Sequence, residues 1–528
     1  MAARKPRAGS GLVGGTAGGR RPLMEPTTVI EPLLDPAQRS SVGMPEDEQS
    51  RGPVVVELNV RHAAGLPGAS ERFEALWRSV ASAGGASRPE PVGDTYVRCE
   101  LSVDEMRALV ARDREAAPAQ RAIYRIWPDF PVKAQIDQSV ATIKADAARR
   151  AFAAAGAGVV WAVVDSGIDA THPHFRLHRT LQDEVAGLHR DFTARAPDKG
   201  QALNDSFGHG THVAGVLAGG LPERLPRGVR LKVGQRAAQS LFGTGSDGGS
   251  DTGSDTGGDG QELFESVEER EVAEPGRLTG VAPACKLVSL KVLDDEGNSR
   301  STDVLRALQY IREEVNGNGK VMRIHGVNLS LGYEFNARWF ACGQSPLCAE
   351  VDRLVRSGVV VVAAAGNTGY GRLTTPGGFT DTALAVTIND PGNAALAITV
   401  GATHRALPYT YGVSYFSSKG PTGDGRRKPD LVAPGERITS AAAGQRLAEL
   451  WGARPPKGAA SYLDDSGTSL AAPHVSGAVA AFLSVRREFV GRPEEVKRLF
   501  LEHATPLGRD PHFEGHGLLD LMRVLQAV

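Results

Sequence analysis

The fold is decided by an apolar run that ends at a carboxylate, the stretch VVWAVVDSG at residues 159–167. Six consecutive apolar residues followed by a turn signal predict a strand that is buried on both of its faces. Runs of the same kind recur at residues 287–293, 324–331, 359–364 and 396–400, and helical patterns lie between them. Buried strands that alternate with helices predict a mainly parallel sheet covered on both faces, which is an α/β fold of three layers.

Three short segments contain the groups that acyl transfer by a serine requires. They read DSGID at residues 165–169, HGTHVAG at residues 209–215 and GTSLAAPH at residues 467–474. This chemistry needs a hydroxyl, an imidazole that accepts its proton and a carboxylate that orients the imidazole. The residues alone leave two choices open, and the candidates are Ser469 as the hydroxyl, His209 or His212 as the base, and Asp165 or Asp169 as the carboxylate.

Taken together, these segments resemble the three active-site signatures of the subtilisin-like serine proteases, with Leu470 where that family usually has methionine. The resemblance implies a serine endopeptidase that hydrolyses protein or peptide substrates through an acyl-enzyme intermediate. It makes Ser469 the nucleophile, His209 the base and Asp165 the carboxylate that orients His209. It also implies a subtilisin-like version of the three-layer fold.

Two more segments match the same family. The buried run VVVAAAGN at residues 360–367 ends at an asparagine, and the family places its side-chain oxyanion donor in such a segment. The resemblance therefore assigns the oxyanion hole to Asn367. The stretch NLSLG at residues 328–332 resembles the strand that aligns the substrate by pairing with an extended peptide. The substrate-binding residues implied in this way are Ser330, Leu331, Gly332, Ala364 and Gly366.

The chain is predicted to contain three parts: a disordered tail at residues 1–51, a small α+β domain at 52–137 and the peptidase domain at 138–528. In the small domain, strands are predicted at residues 54–60, 96–101 and 122–127. One helix face is formed by Phe73, Leu76, Trp77 and Val80, and a capping box at Ser102 and Glu105 opens a second helix.

This small domain resembles the ferredoxin-like propeptide of subtilisin-like proteases. The resemblance implies a zymogen, in which the N-terminal domain is an intramolecular inhibitor of the peptidase. If the enzyme cleaves itself, the cut is expected between about residues 132 and 139.

Residues 221–277 interrupt the strand and helix pattern. They are first basic, then rich in Gly, Ser, Asp and Thr, and finally acidic. Since such a composition supplies few large apolar side chains, we expect a solvated and flexible insertion.

Composition excludes several kinds of partner. The net charge of −1 gives no reason to expect nucleic acid, and no apolar stretch approaches the roughly 18 residues that cross a bilayer, so no membrane contact is expected.

The four cysteines are too few for a disulfide framework and are expected as free thiols. No organic cofactor and no metal site are predicted; the residues His512, Glu514 and His516 lack the spacing of metal ligands. Structural calcium occurs in the family, but no clear motif supports it here.

No signal peptide is recognisable in the first 51 residues, so a cytoplasmic location is favoured, with secretion by another route left open.

Two other functions fit the residues less well. A non-catalytic interaction protein would be expected to lack one of the catalytic groups. An esterase of the α/β-hydrolase fold needs a Gly-x-Ser-x-Gly turn and the order Ser, acid, His, neither of which Ser469 offers.

Overall fold

The structure is a computed structural model that describes residues 28–29, 31–34, 39, 44–45, 47–80, 88–92, 95–128, 138–193, 201–236, 267–272, 274–335, 341–375, 378–452, 456 and 458–528. The chain divides into two compact units, Met1–Lys133 and Ala134–Val528. The predicted tail lies mostly outside the described residues.

The first unit contains a four-stranded antiparallel sheet in the order β2-β3-β1-β4. The capping box that was predicted at the start of its second long helix is confirmed, since Ser102 Oγ accepts from Glu105 N and Glu105 accepts from Ser102 N. One strand, β2, was not predicted because it has only 3 residues. The elements are α1 Glu31–Leu34, β1 Gly52–Leu58, α2 Gly65–Val80, β2 Glu90–Val92, β3 Tyr96–Leu101, α3 Val103–Arg114 and β4 Ile123–Pro128.

Both long helices of this unit pack on the sheet around a core of its own. Phe73 and Trp77 from α2, Met106 from α3 and Ile126 from β4 are buried in one apolar cluster. The alternating burial along β1 shows that one face of the sheet packs on the helices. The unit therefore has the hydrophobic core that an independently folding domain requires.

A seven-stranded sheet forms the centre of the second unit. Its order is β15-β14-β11-β10-β5-β9-β6, and every neighbouring pair is parallel. This confirms the predicted parallel α/β architecture. The strands are β5 Val160–Asp165, β6 Arg190–Asp191, β9 Lys286–Lys291, β10 Gly326–Leu329, β11 Val360–Ala364, β14 Ile398–His404 and β15 Leu431–Glu436, and an antiparallel hairpin lies apart from them, β12 Tyr370–Thr375 with β13 Gly378–Ala383.

Helices cover both faces of the central sheet. Along β5, Val160, Ala162 and Val164 belong to one buried cluster, whereas Trp161 and Val163 belong to the other. This alternation explains why the whole strand is apolar. The helices are α4 Gln138–Thr142, α5 Ala145–Phe152, α6 His209–Leu217, α7 Ser301–Gln309 continued by a π-helical turn Tyr310–Val315, α8 Pro346–Arg356, α9 Pro408–Tyr411, α10 Gly444–Trp451, α11 Thr468–Val485, α12 Pro493–Glu502, α13 Pro511–Glu514 and α14 Leu521–Gln526.

The ends of the predicted flexible insertion are ordered, which corrects the sequence interpretation. They form β7 Leu231–Arg236 and β8 Val267–Arg270, which join a second sheet of order β16-β17-β7-β8 with β16 Ile438–Ala441 and β17 Ala460–Asp465. β7 runs parallel to β17 and antiparallel to β8. Its Val233 is 1% exposed and packs against Tyr462. Apolar partners supplied by β17 stabilise a segment whose own composition is polar. The Gly-Ser-Asp stretch at 237–266 lies outside the described residues.

One helix contradicts the expectation that no apolar stretch approaches the length of a membrane span. α11 is 18 residues long with a mean hydropathy of 1.3. However, 83% of this window is buried inside the protein, as expected for the central helix of a core. The four cysteines, Cys99, Cys285, Cys342 and Cys348, are free and buried.

Candidate active site

Asp165 and His209 form a hydrogen-bonded pair at one edge of the central sheet. Asp165 is the last residue of β5 and is fully buried, and His209 is the first residue of α6. His209 Nδ1 donates to Asp165 Oδ1 at 2.7 Å, and Ser166 N donates to the same oxygen at 2.8 Å. Because Nδ1 is engaged in this way, Nε2 of the imidazole is left as the nitrogen that can accept a proton.

The charge of Asp165 decides the basicity of His209. Burial by itself lowers the pKa of the His209 imidazole, since it disfavours the cation. The negative charge and the hydrogen bond of Asp165 act in the opposite direction and outweigh burial, so that the pKa is raised above 6.5. The arrangement favours a base that takes up a proton readily.

A second buried carboxylate, Asp205, holds the start of α6 and was missed by the sequence analysis. Its Oδ1 accepts from Gly208 N at 2.7 Å and from Ser166 Oγ at 2.8 Å. Its Oδ2 accepts from Thr211 N at 2.8 Å and from Thr211 Oγ1 at 2.6 Å. Asp205 therefore ties β5 to α6 beside the catalytic pair. The available signal was an aspartate shortly before a helix, the usual composition of an N-terminal cap.

The turn into α6 requires a glycine at position 208. Gly208 has a φ of 91°, a conformation that L side chains rarely adopt. A Cβ at this position would also lie 2.2 Å from the backbone oxygen of Ala443. This glycine lets the segment carrying His209 lie against the loop before α10.

Ser469 is the second residue of α11 and lines the same cleft as His209. Four residues later, Pro473 has no N–H that could donate to the Ser469 carbonyl, as a helix otherwise requires. Ser330 Oγ donates to that carbonyl instead, at 2.6 Å. The proline therefore removes one intrahelical hydrogen bond of α11. The freed carbonyl ties Ser469 to the loop that follows β10.

Two hydrogen-bond donors converge beside Ser469. Asn367 Oδ1 accepts from Thr468 N at 2.9 Å and from Thr468 Oγ1 at 3.0 Å, which fixes the orientation of its amide. A Cβ built on Gly467 would lie 2.9 Å from Ser469 Oγ, 3.5 Å from Asn367 Nδ2 and 3.7 Å from Ser469 N. Ser469 Oγ, Asn367 Nδ2 and Ser469 N therefore all border the space that Gly467 leaves open.

The predicted substrate-binding residues border this space. They line a cleft of about 1110 Å³ that also contains His209, Asn367 and Ser469: Ser330, Leu331, Gly332, Ala364 and Gly366. At Gly332, a Cβ would lie 2.4 Å from the backbone oxygen of Asp390, so only glycine fits. The structure therefore brings the predicted site residues together in one cleft.

The rival residues lie elsewhere. Asp169 Oδ1 accepts from Thr171 N at 2.9 Å and Thr171 Oγ1 at 2.7 Å, a local turn at the surface. His212 is fully buried, and its Nε2 contacts Leu463 O at 2.9 Å. Burial lowers the pKa of His212 to about 3, so it remains neutral at ordinary pH. His474 is likewise buried, with its Nδ1 2.8 Å from Leu470 O.

Sequence reasoning missed the outer walls of the cleft. One wall is charged and comes partly from the insertion, and another is aromatic. The residues of both walls belong to no sequence motif. They come together only because β7 pairs with β17 and because the loops around β14 fold over the cleft. They include Arg236, Arg446, Glu449 and Asp465 on the charged wall and His404, Tyr411, Tyr415 and Phe416 on the aromatic wall.

Within the described ranges, no group of three or more His, Cys, Asp or Glu side chains is arranged to hold a metal ion. Glu514, from the C-terminal cluster that was considered and rejected as a site, instead accepts from Leu507 N at 2.9 Å.

Comparisons with known proteins agree with this parallel α/β fold. The model of the subtilase family matches residues 156–517. The chain is 30% identical to pyrolysin of Pyrococcus furiosus over 61% of its own length, although the match spans only 22% of pyrolysin. It is 27% identical to the serine protease AprX of Bacillus subtilis, covering 75% of this chain and 73% of that protein. It is also 27% identical to an intracellular serine protease of Paenibacillus polymyxa, over 70% and 81% of the two chains.

The family match and these relatives identify the class of this α/β protein as a serine endopeptidase. The chain belongs to the subtilase family.

Proposed function

We propose that Asp165, His209 and Ser469 are the catalytic triad of this endopeptidase. Ser469 Oγ attacks the scissile carbonyl carbon while His209 Nε2 takes the hydroxyl proton. His209 then donates that proton to the leaving amine, and an acyl-enzyme remains on Ser469. Water, deprotonated by His209, then attacks the carbonyl carbon of the ester. His209 returns the proton to Ser469 Oγ as the bond to the acyl group breaks, which restores the hydroxyl and the neutral imidazole. Asp165 holds the ring through Nδ1 and stabilises the imidazolium that forms in each step.

Asn367 and the backbone N–H of Ser469 stabilise the negative charge that develops on the carbonyl oxygen. The main support for this proposal is the space beside Gly467. A Cβ placed there would lie within 3.7 Å of Ser469 Oγ, Asn367 Nδ2 and Ser469 N. Donors fixed before the reaction stabilise an oxyanion without a cost of reorganisation. Thr468, which bonds the amide oxygen of Asn367, keeps the N–H end of that amide directed at the space.

Activity measurements on three variants test this assignment. Ser469→Ala and His209→Ala are expected to lose nearly all hydrolysis of a peptide substrate while keeping the wild-type circular dichroism spectrum. Asn367→Ala is expected to retain a rate about 100- to 1000-fold below wild type, since one oxyanion donor is lost. A matched control is Ser301→Ala, which removes an exposed hydroxyl at the first residue of α7, outside the cleft. A Ser469→Ala variant that kept the wild-type rate would refute the triad.

We further propose that the first unit is an intramolecular inhibitor that makes the full chain a zymogen. Its separate hydrophobic core supports this proposal, because an inhibitor that is removed after folding has to be stable by itself. The proposed cleavage region, about residues 132–139, lies almost entirely outside the described residues.

N-terminal sequencing of purified protein tests the zymogen proposal. Wild-type protein is expected to begin between residues 132 and 139 after incubation, whereas Ser469→Ala keeps its original N-terminus. Separately produced residues 52–133, added to the processed enzyme, should inhibit peptide hydrolysis. An unprocessed, fully active wild-type chain would argue against a zymogen. Lack of inhibition by the added fragment would argue against its inhibitory role.

A further inference from the structure

Four charged side chains from three separate segments form the charged wall of the cleft. Arg236 ends β7 in the insertion, Arg446 and Glu449 belong to α10, and Asp465 ends β17. Arg236 donates through Nη1 to Asp465 Oδ1 at 3.3 Å and through Nη2 to Glu449 Oε2 at 2.6 Å. Arg446 donates to the second oxygen of Asp465. Asp465 is therefore held between two guanidinium groups.

The same carboxylate holds the chain that leads to the nucleophile. Ser466 N donates to Asp465 Oδ1 at 2.8 Å. Ser466 Oγ in turn accepts from Arg437 N at 3.0 Å. Gly467, whose open space lies beside Ser469 Oγ, follows at once. A shift of Asp465 would thus move the backbone of the segment that carries both the nucleophile and an oxyanion donor.

Because these ion pairs are largely buried, the loss of one partner costs more free energy than it would at the surface. The side chains of Arg236, Asp465 and Arg446 are only 16%, 18% and 11% exposed. A charge left without its partner at such a depth is costly, so removing one guanidinium favours movement of the remaining groups. The backbone of Arg236 adds a further anchor, because its N–H donates to Asp464 Oδ1 at 2.7 Å.

The charged wall also faces the base. The charged and titratable groups around His209 are Asp165 on β5, Arg446 on α10, Asp465 on β17 and His212 on its own helix. Next to the larger effects of burial and of Asp165, the positive charge of Arg446 lowers the pKa of His209 and the negative charge of Asp465 raises it. Because the two effects oppose each other, loss of either charge would shift the pKa of His209.

We propose that Arg236, contributed by the insertion, is a positioning residue for peptide hydrolysis: it holds Asp465 in place, and Asp465 holds the Ser466–Ser469 segment in its reactive geometry. The inference rests on the proposed role of Ser469 as the nucleophile. It gives the insertion a part in catalysis, although the insertion supplies no group that reacts.

Steady-state kinetics of the full chain test this role. Arg236→Met keeps the length of the side chain but removes its forked donors, and is expected to lower kcat by about 10- to 100-fold with KM changed less than about threefold. Arg236→Lys, which keeps the charge, should recover part of the loss. Arg230→Met on the same insertion segment is the matched control, because Arg230 is exposed and precedes β7, and it should keep wild-type kinetics.

Asp465→Asn supplies a second and independent measurement. It removes the charge that pairs with Arg236 and Arg446, so the segment is held less firmly and kcat should fall. Because the same charge raises the pKa of His209, the midpoint of the pH profile should also move to lower pH. If Arg236→Met does not fold, this variant decides the question. Wild-type kcat in either folded variant would overturn the inference. Such a result differs from failure of the triad itself, in which Ser469→Ala would keep activity.

Discussion

At the scale of single residues, the proposed role of His209 as the base makes activity depend on its protonation. The imidazole must be neutral to accept the proton of Ser469, and Asp165 raises its pKa above 6.5 against the effect of burial. We therefore predict that kcat rises with pH through a midpoint above 6.5. In Asp165→Asn the raising effects are lost, so the midpoint should fall and kcat should drop by about 10,000-fold. A pH profile that is unchanged in this variant would contradict the assigned pair.

Gly467 gives the second residue-scale prediction. Its φ of 161° is open to any residue, so an alanine there adds a methyl group without backbone strain. That methyl group would occupy the space shared by Ser469 Oγ and Asn367 Nδ2. Gly467→Ala should lower kcat by about 100-fold or more, as loss of oxyanion stabilisation does. Gly187→Ala is the control, since a Cβ there meets nothing within 4 Å. Equal rates for the two variants would show that the space is not used.

At this scale, the proposed reactive groups can be recognised in the sequence, whereas the groups that hold them cannot. Asp165, His209 and Ser469 stand in short motifs whose residue types and order are typical of acyl transfer. Asp205 and Asp465 lie in no recognisable motif. Their function is to accept hydrogen bonds from backbone N–H groups, and which groups these are is decided only when the chain folds. Long-range contacts of this kind are absent from any local pattern.

At the scale of elements, the insertion separates into an ordered hairpin and the stretch between its strands. Arg236 and Val267, the residues that flank the stretch 237–266, are paired neighbours in β7 and β8. A two-residue turn is able to join antiparallel strands at such a point. We predict that replacing residues 237–266 by a short Asn-Gly turn leaves kcat within several-fold of wild type and the circular dichroism spectrum unchanged.

Deleting the hairpin as well gives the matching comparison. Without residues 231–270, the protein loses the pairing of β7 with β17 and the anchor of Arg236 on Asp464. This deletion should lower kcat far more than the shorter replacement does. Equal loss in both variants would show that the stretch between the strands, rather than the hairpin, shapes the active site.

Strand prediction succeeded where burial alone determines the residue types. β11 is apolar along its whole length, and β5 is apolar up to its last residue, Asp165, because both faces of the central sheet are covered. β7 and β8 were missed because their polar residues match neither a buried nor an alternating pattern. β7 is stabilised by pairing with β17, whose Tyr462 and Leu463 are buried, and β8 is stabilised by pairing with β7. Tertiary pairing, not the propensity of the segment, makes these strands.

At the scale of the whole molecule, buried neutral histidines limit stability in acid. Burial lowers the pKa of His172 and His474 to about 4 and that of His174 and His212 to about 3, from an ordinary 6.5. The folded state therefore binds fewer protons than the unfolded chain. Their contribution to stability is complete above pH 6.5 and is lost as the pH falls from there towards 3 to 4.

This effect is large enough to measure. Each such histidine destabilises the folded state by on the order of 2 kcal/mol at pH 5. We predict that Tm falls steeply between pH 6.5 and pH 4, while His209, whose pKa is raised, contributes with the opposite sign. Differential scanning calorimetry across this range checks the prediction. A Tm that stayed constant from pH 7 to pH 4 would contradict the burial of these rings as neutral groups.

The central claim is that Ser469 is the nucleophile of a subtilase active site, and covalent labelling tests it most directly. A fluorophosphonate should label the wild-type chain once, and mass spectrometry of the digested protein should place the adduct on the peptide containing Ser469. His209→Ala should label far more slowly, because the hydroxyl lacks its base. Labelling of Ser469→Ala at the wild-type rate, or an adduct on another residue, would contradict the account.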